Sequence, residues 1–364
     1  MAIYIGNGMS TLGFLICRPP PACPESAHPL APRRPAMTEP TKRSLCAALM
    51  AAALLAGLLP TDAAAQAYPS RPVRLIVPWA PGTPADVAGR VVAERMAGGL
   101  GQTVFVENRP GAAGTVGLGE VLRQPADGYT VYMLSSASLV APLLFPGQSL
   151  DLLKSLEPVG MTAWSYNVLV APAASALGSP RELEAAAKAR PGTLSFGSGG
   201  NGTPAHLAGA LFAQQTGSQL THVPYNQFPM AVGDLLAGRL DTMFLTASAA
   251  LPHIQAGKLR ALAVTGAHRL PALPAVPTMI EQGYAGFELR SFDGMTVRSG
   301  TPREIVERLS DALAKALAAP EVRERLATLA LEPEPMTPAR FRTVLAAESD
   351  KWLRLGRGAG IKAD

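Results

Sequence analysis

The sequence predicts an α/β protein of two lobes, each a mostly parallel sheet flanked by helices. Three observations carry this expectation. Short apolar runs alternate with segments of helical periodicity in the order β-α-β-α-β. The same rhythm begins again near Asn167, and no Ser-, Gly- or Pro-rich spacer separates the halves. The strands are short and largely apolar, as in sheets covered on both faces.

In the first half, residues 73–78 read as a strand. Residues 85–100 read as a helix, because Val87, Val91 and Met96 share one side and Gly98-Gly99 marks an end. A strand at 103–107, a helix at 116–122, a turn at Asp127-Gly128 and a strand at 130–134 follow. In the second half, 168–170 is apolar, and 179–189 is a helix with Ser179 as cap, Pro180 next and Glu182 three after the cap. Strands are expected at 193–196, 222–224, 242–245 and 260–264, with helices at 204–215 and 230–237. The tail returns to helices at 302–317, 321–329 and 338–355. Residues 162–170 and 287–297 are the candidate strands crossing between lobes. The expected division is 68–165 with 292–364 in lobe 1 and 166–291 in lobe 2. A cleft between such lobes is where α/β sheets bind small ligands.

Not all 364 residues belong to this fold. Residues 1–36 are rich in Pro and Arg without periodicity and read as a disordered or non-native extension. Met37 opens a secretory pattern over 37–67: Lys42 and Arg43, an apolar stretch at 45–59, and small-residue sites that place cleavage near Ala65 or Ala67. The competing reading is an amphipathic anchor. Cys17, Cys23 and Cys46 all precede the cut, so the exported chain has no disulfide and depends on its core. The first 65 residues hold five of the 32 Lys and Arg and three of the 27 Asp and Glu, leaving 27 basic against 24 acidic residues. With no basic run, nucleic acid is not an expected partner.

Four segments open with Thr-Pro, at Thr83, Thr203, Thr301 and Thr337. The Thr hydroxyl is expected to cap, with Pro at the first helical position and Asp86 and Glu304 at the third. Asp86 reads as a structural cap rather than a catalyst. The starts at Gly82-Thr83-Pro84-Ala85-Asp86 and Gly202-Thr203-Pro204-Ala205-His206 each follow a strand through a glycine-containing loop. Free N–H groups and a positive dipole end at two such starts would suit an anion with two carboxylates.

Several stretches resemble the Bug family of extracytoplasmic solute receptors of tripartite tricarboxylate transporters. They are Tyr68-Pro69-Ser70-Arg71-Pro72, Val77-Pro78-Trp79-Ala80-Pro81-Gly82, Val106-Glu107-Asn108-Arg109-Pro110-Gly111-Ala112-Ala113-Gly114, Asp127-Gly128-Tyr129-Thr130, the run GGNGTPAHL ending at Leu207, His222-Val223-Pro224-Tyr225, Leu251-Pro252-His253-Ile254, the run GKLRALAV ending at Val264, and Val276-Pro277-Thr278. The resemblance implies a two-lobed periplasmic-binding-protein fold of type II that closes on a small carboxylate, in the periplasm, for a membrane transporter. It implies that residues 79–86 and 135–138 grip one carboxylate through backbone amides and water, and that 198–206 faces the other end. The sequence departs from the family where Trp79 replaces Phe, Thr83 replaces Gly, Asn226-Gln227 replace Lys-Gly, and Leu245-Thr246 replace Asp or Gly followed by Asn. These changes favour a ligand smaller or less charged than citrate.

The expected ligand-binding residues are Trp79, Gly82, Thr83, Asp86, Ser135, Ser136, Ser138, Trp164, Ser198, Asn201, Gly202, Thr203, His206, Tyr225, Thr246, Phe292 and Asp293. Tyr225 is the expected side-chain donor of lobe 2, His206 either binds or packs, and Trp164 and Phe292 either line a wall or sit in the core. Gly111, Gly114 and Gly117 are spaced wrongly for a dinucleotide loop and read as packing glycines. No G-x-S-x-G elbow and no metal-ligand spacing occur in the exported part, so no catalytic residue, metal or cofactor is expected. The chain is expected to be a monomer. The alternatives are a periplasmic enzyme acting on a small carboxylate and an orphan receptor feeding a sensor. A nucleophile–base pair within hydrogen-bond reach in the cleft would favour the enzyme.

Overall fold

The computed structural model of this chain describes residues 68–147, 151–225 and 227–361. The extension and secretory segment expected at 1–67 lie outside the described residues, as does Asn226. The strands are β1 (Val73–Val77), β2 (Val104–Asn108), β3 (Thr130–Ser135), β4 (Leu156–Pro172), β5 (Ser195–Ser198), β6 (Thr221–Pro224), β7 (Thr242–Thr246), β8 (Leu259–Val264), β9 (Arg290–Arg298) and β10 (Leu331–Glu332). The helices are α1 (Pro84–Leu100), α2 (Thr115–Arg123), α3 (Ala141–Leu144), α4 (Leu152–Ser155), α5 (Pro180–Ala189), α6 (Pro204–Thr216), α7 (Phe228–Leu236), α8 (Ala247–Gln255), α9 (Arg303–Ala318), α10 (Pro320–Thr328) and α11 (Pro338–Gly358).

Each lobe has a core of three parallel strands. In the first, β1 pairs in parallel with β2 and β3. In the second, β5 pairs in parallel with β6 and β7. The first three strands lie next to β9, antiparallel to β3, and β9 in turn pairs with β4. β4 runs on from Tyr166 to Asn167 and leaves β9 for β7 and β8. One 17-residue strand therefore belongs to both sheets. The expected outward crossing at 162–170 is the middle of this strand. The expected return at 287–297 differs: β9 lies wholly in the first sheet, and the chain passes back just before it. There the Leu289 N–H donates to the Thr265 carbonyl, and the Thr265 N–H donates to the Asn167 carbonyl.

Helix boundaries follow local chemistry. Thr83, Thr203 and Thr337 take extended backbone and put Pro at the first helical position. Ser179 Oγ accepts from the Glu182 N–H, and the Glu182 carboxylate reaches back to the Gly178 N–H, a capping box shifted by one residue. Two caps differ from expectation. Thr301 precedes a helix whose cap is Pro302, and its hydroxyl donates to the Arg298 carbonyl. Thr83 makes no side-chain cap: its hydroxyl donates to the Ala80 carbonyl at 2.8 Å and accepts from no N–H of the first turn. Helix α8 has no sequence expectation behind it, since Pro252 interrupts its pattern.

One core lies where α1, α9 and α10 cover the first sheet, with Val77, Met133, Met295, Leu309 and Leu326 at its centre. The other is continuous from the opposite face of that sheet into the second lobe, and it includes Ile76, Tyr132, Trp164, Phe292, Phe341, Phe212 and Phe244. Trp164 and Phe292 meet edge to face at 6.0 Å, and Phe292 meets Phe341 the same way at 5.8 Å. Their core reading therefore prevails over a cleft wall.

Gly209 of α6 lies on the Phe196 ring of β5, and a Cβ there would come within 2.2 Å of it. Gly209→Val should destabilise the protein by about 1–3 kcal/mol through overpacking. Thermal melting tests this, and an unchanged melting temperature would refute the tight fit.

Candidate functional site

The loop after β1 is closed by Asp86. Its carboxylate accepts from the Gly82 N–H at 2.9 Å, from Asn108 Nδ2 at 2.8 Å and from Arg90 Nε at 3.1 Å. Burial acts to raise the pKa of this nearly buried group, but the bonds from Arg90, Gly82 and Asn108 outweigh it and hold the pKa below the ordinary carboxylate value. Asn108 also donates to the Trp79 carbonyl at 3.0 Å. Asp86 is thus a structural tie reaching one residue beyond the cap, and Gly82 supplies the left-handed turn at φ +81°. No side chain caps the first turn of α1, so that turn keeps the orphan donors of a helix start. Arg90, four residues after Asp86, and Asn108 are the partners that sequence reasoning missed.

Three loops of the first lobe meet at Gly114, which has φ +91°. A Cβ there would lie 2.7 Å from Ser138 Oγ, 2.9 Å from the Tyr132 hydroxyl and 3.4 Å from Pro78 Cβ. Gly117 is equally enclosed by the Arg109 carbonyl, Pro78 and Ile76, so the glycine series serves packing as expected. Ser136 Oγ accepts from the Phe292 N–H at 2.8 Å and ties the loop after β3 to β9. Ser135 stands opposite Asp293 in the β3–β9 register.

In the second lobe, Thr203 Oγ1 accepts from the His206 N–H and donates to the Gly200 carbonyl. The His206 and His222 rings stack with centroids 3.9 Å apart and planes 4° apart, and Phe196 stacks beyond His222 at 4.8 Å. Burial, then the neighbouring His206, lowers the His222 pKa to about 4, and burial lowers that of His206. The pair is therefore neutral at neutral pH. His206 Nδ1 accepts from the Gly202 N–H at 3.2 Å, so this side chain both packs and orders its loop. Asn201 lies in the same loop, half-buried. Tyr225 differs from expectation, because its hydroxyl is committed to Asp234 at 2.6 Å, which Arg239 also holds.

Ser198 Oγ lies 2.6 Å from His222 Nε2. This nucleophile–base contact links adjacent strands 24 positions apart in sequence, and only the β5–β6 register reveals it. It lacks the attributes of a catalytic pair. Ser198 is fully buried, its Oγ already accepts from the Gly200 N–H, and no carboxylate orients His222 among the described residues.

The loops of the two lobes face each other. A Cβ on Gly202 would lie 2.9 Å from Val140 and 3.1 Å from Leu144, so the 198–203 loop meets the segment after β3. The buried side-chain polar atoms without a hydrogen-bond partner, among the described residues, are Ser135 Oγ, Ser138 Oγ, Thr246 Oγ1 and Arg290 Nε. Ser135 and Thr246 end the central strands β3 and β7, and Arg290 begins β9 with its guanidinium 3.7 Å from the Trp164 centroid. The Arg290–Glu288 ion pair, at 3.5 Å, is too poorly directed to satisfy that Nε. Among the described residues no cluster of three or more His, Cys, Asp or Glu could hold a metal, and no helix is long and apolar enough to cross a membrane.

Two α/β sheets joined by one crossing strand, with strand-end loops from each facing the other, define a two-lobed ligand-binding protein. Residues 88–361 match the family described as the tripartite tricarboxylate transporter family receptor. A relative from Bordetella pertussis, the protein BugT, is 37% identical over 300 residues, covering 82% of this chain and 92% of its own. The structure of the periplasmic binding protein BugD has a TM-score of 0.74 at 33% identity, covering 82% of this chain and all of its own. A structure of an R. palustris protein with adipate has a TM-score of 0.76 at 31% identity, with the same coverage. The chain belongs to the tripartite tricarboxylate transporter receptor family and has its two-lobed periplasmic-binding-protein fold.

Asp86→Ala strips three donors of their acceptor and should lower stability by about 1–3 kcal/mol. An unchanged melting temperature would remove Asp86 from its role as the loop's tie. For His222 the folded pKa of about 4 lies below its ordinary 6.5. The unfolded chain then binds more protons between these values, so stability falls as pH drops from about 6.5 to about 4. His222→Gln should flatten that fall, by up to a few kcal/mol at about 1.4 kcal/mol per unit. Melting curves of both proteins across this window test the sign, and parallel curves would overturn it.

Proposed function

We propose that this chain is an exported receptor that captures a small carboxylate between its lobes and delivers it to membrane transporter subunits of the tripartite tricarboxylate type. The observation that carries the reading is a set of buried hydroxyls left without hydrogen-bond partners at strand ends and in the loop after β3. Buried polar groups are almost always paired, yet the Ser135, Ser138 and Thr246 hydroxyls are not, and the first turn of α1 has no side-chain cap. Donors held ready at strand ends and at a helix start suit an anion. The adipate in the R. palustris relative supports the ligand class. The cleft is proposed to lie between residues 68–165 with 292–364 on one side and 166–291 on the other. Ser135, Ser138, Gly82 and Thr83 would hold one carboxylate, and Gly202, Thr203, His206 and Thr246 the far end. Trp79, at the rim, would set selectivity. Export would remove the segment ending near Ala65 or Ala67.

The Ser198–His222 contact is the observation that favours an enzyme, and its burial argues for a structural role instead. The neutral histidine pair places no formal charge on the second lobe's loop, which suits a ligand of modest charge.

A thermal-shift screen of mono-, di- and tricarboxylates, adipate included, tests the proposal. A ligand at about 100 times its Kd should stabilise the protein by about 2.7 kcal/mol. If no carboxylate raises the melting temperature, the receptor reading fails.

A further inference from the structure

One buried ionisable group has no partner among the described residues. Asp293 is 6% exposed, and its carboxyl takes no hydrogen bond and faces no cation among the described residues. Directly opposite on β3 is Ser135, 7% exposed, whose Oγ is also unpartnered. Opposed residues of an antiparallel pair share a face. On its other flank Asp293 pairs with Ala163 of β4, which offers only a methyl. The same face continues along β3 to Met133, two residues earlier. Gly89 of α1 packs there, its would-be Cβ 3.3 Å from Met133 and 3.4 Å from Val77. The uncapped start of α1, one turn before Gly89, therefore lies toward Ser135 and Asp293 at the carboxyl end of β3. The same end of the first sheet thus carries N–H donors that suit an anion and a carboxyl that suits a cation.

We propose that Asp293 determines specificity: it receives the cationic nitrogen of a ligand whose carboxylate is held at the start of α1, so the receptor prefers aminocarboxylates to plain di- and tricarboxylates. This rests on the carboxylate reading above. A plain dicarboxylate sets a like charge against the Asp293 carboxylate, whereas an ammonium supplies it with a partner. Selectivity then has a repulsive element as well as an attractive one. Burial pushes the Asp293 pKa up to about 7, so the empty site holds the group near its switching point, and a bound cation draws it into the charged form.

Calorimetric titration of the full exported chain with paired probes tests this: succinate and aspartate, glutarate and glutamate, adipate and 2-aminoadipate. The amino member of at least one pair should bind about tenfold more tightly or better, equivalent to about 1.4 kcal/mol. Asp293→Asn should erase that preference and leave the plain member bound as tightly or more so. The variant should fold. The Asp293 pKa is raised in the folded state from 3.8 to about 7, so wild-type stability falls as pH rises through that window, and the amide removes the loss. A second measurement needs no variant: wild-type affinity for the amino probe should rise from pH 6 to pH 8 as Asp293 ionises. Equal binding of plain and amino members, a preference unchanged in Asp293→Asn, or an affinity that does not rise with pH overturns the inference. If plain carboxylates bind and amino ones do not, this inference alone fails. If no probe of either series binds, the receptor reading fails and takes this inference with it.

Discussion

Everything in this structure hangs on the place where β4 changes sheets. At Asn167 the backbone N–H donates to Thr265 Oγ1 at 3.0 Å, and the side-chain amide donates to the Phe244 carbonyl at 2.7 Å. Thr265 passes its hydroxyl on to the Leu289 carbonyl at 2.6 Å. Two side chains thus join four segments, and every bond in the knot is buried. Buried backbone groups at a sheet boundary have lost their ladder partners, and leaving them unpaired is costly. Asn167 and Thr265 supply those partners, so one strand can serve two sheets without a linker. The positions of the loops at the strand ends follow from that.

The two loops achieve similar geometry by different means. In the first lobe an ionised carboxylate ties the turn, with Asn108 and Arg90 drawn in from the next strand and the next turn. In the second, a threonine hydroxyl and a neutral imidazole do the same work, and the imidazole is itself clamped in a three-ring stack. The tie of the first loop is charged and that of the second is neutral; in the first lobe Asp86 is fully engaged and Asp293 is not.

Much of this was legible in the sequence, for local reasons. The Thr-Pro starts at Thr83, Thr203 and Thr337 begin helices because proline fixes φ where its missing N–H has no partner to lose. The Asp86 tie is short-range and could be anticipated, although as a plain cap. What remained hidden depends on tertiary register. Thr83 donates to the Ala80 carbonyl without capping the first turn, while Asp86 reaches back to the Gly82 N–H. The Ser198–His222 contact needs β5 beside β6, and Trp164 and Phe292 sit in the core because β4 and β9 are paired there. Asp293 was named as a site residue, but its lack of partners is visible only once its neighbours are in place.

Trp79 contributes to the first loop through its carbonyl, which Asn108 holds, while Asp86 takes the Gly82 N–H. These bonds use peptide groups and residues outside position 79, while the Trp79 side chain packs against the core under α1. A substitution at position 79 therefore leaves the hydrogen bonds of the loop in place and changes what packs on that core. The hydrogen-bonded frame of the loop and the side chain it carries can thus change independently, the one set by Asp86 and Asn108 and the other by position 79.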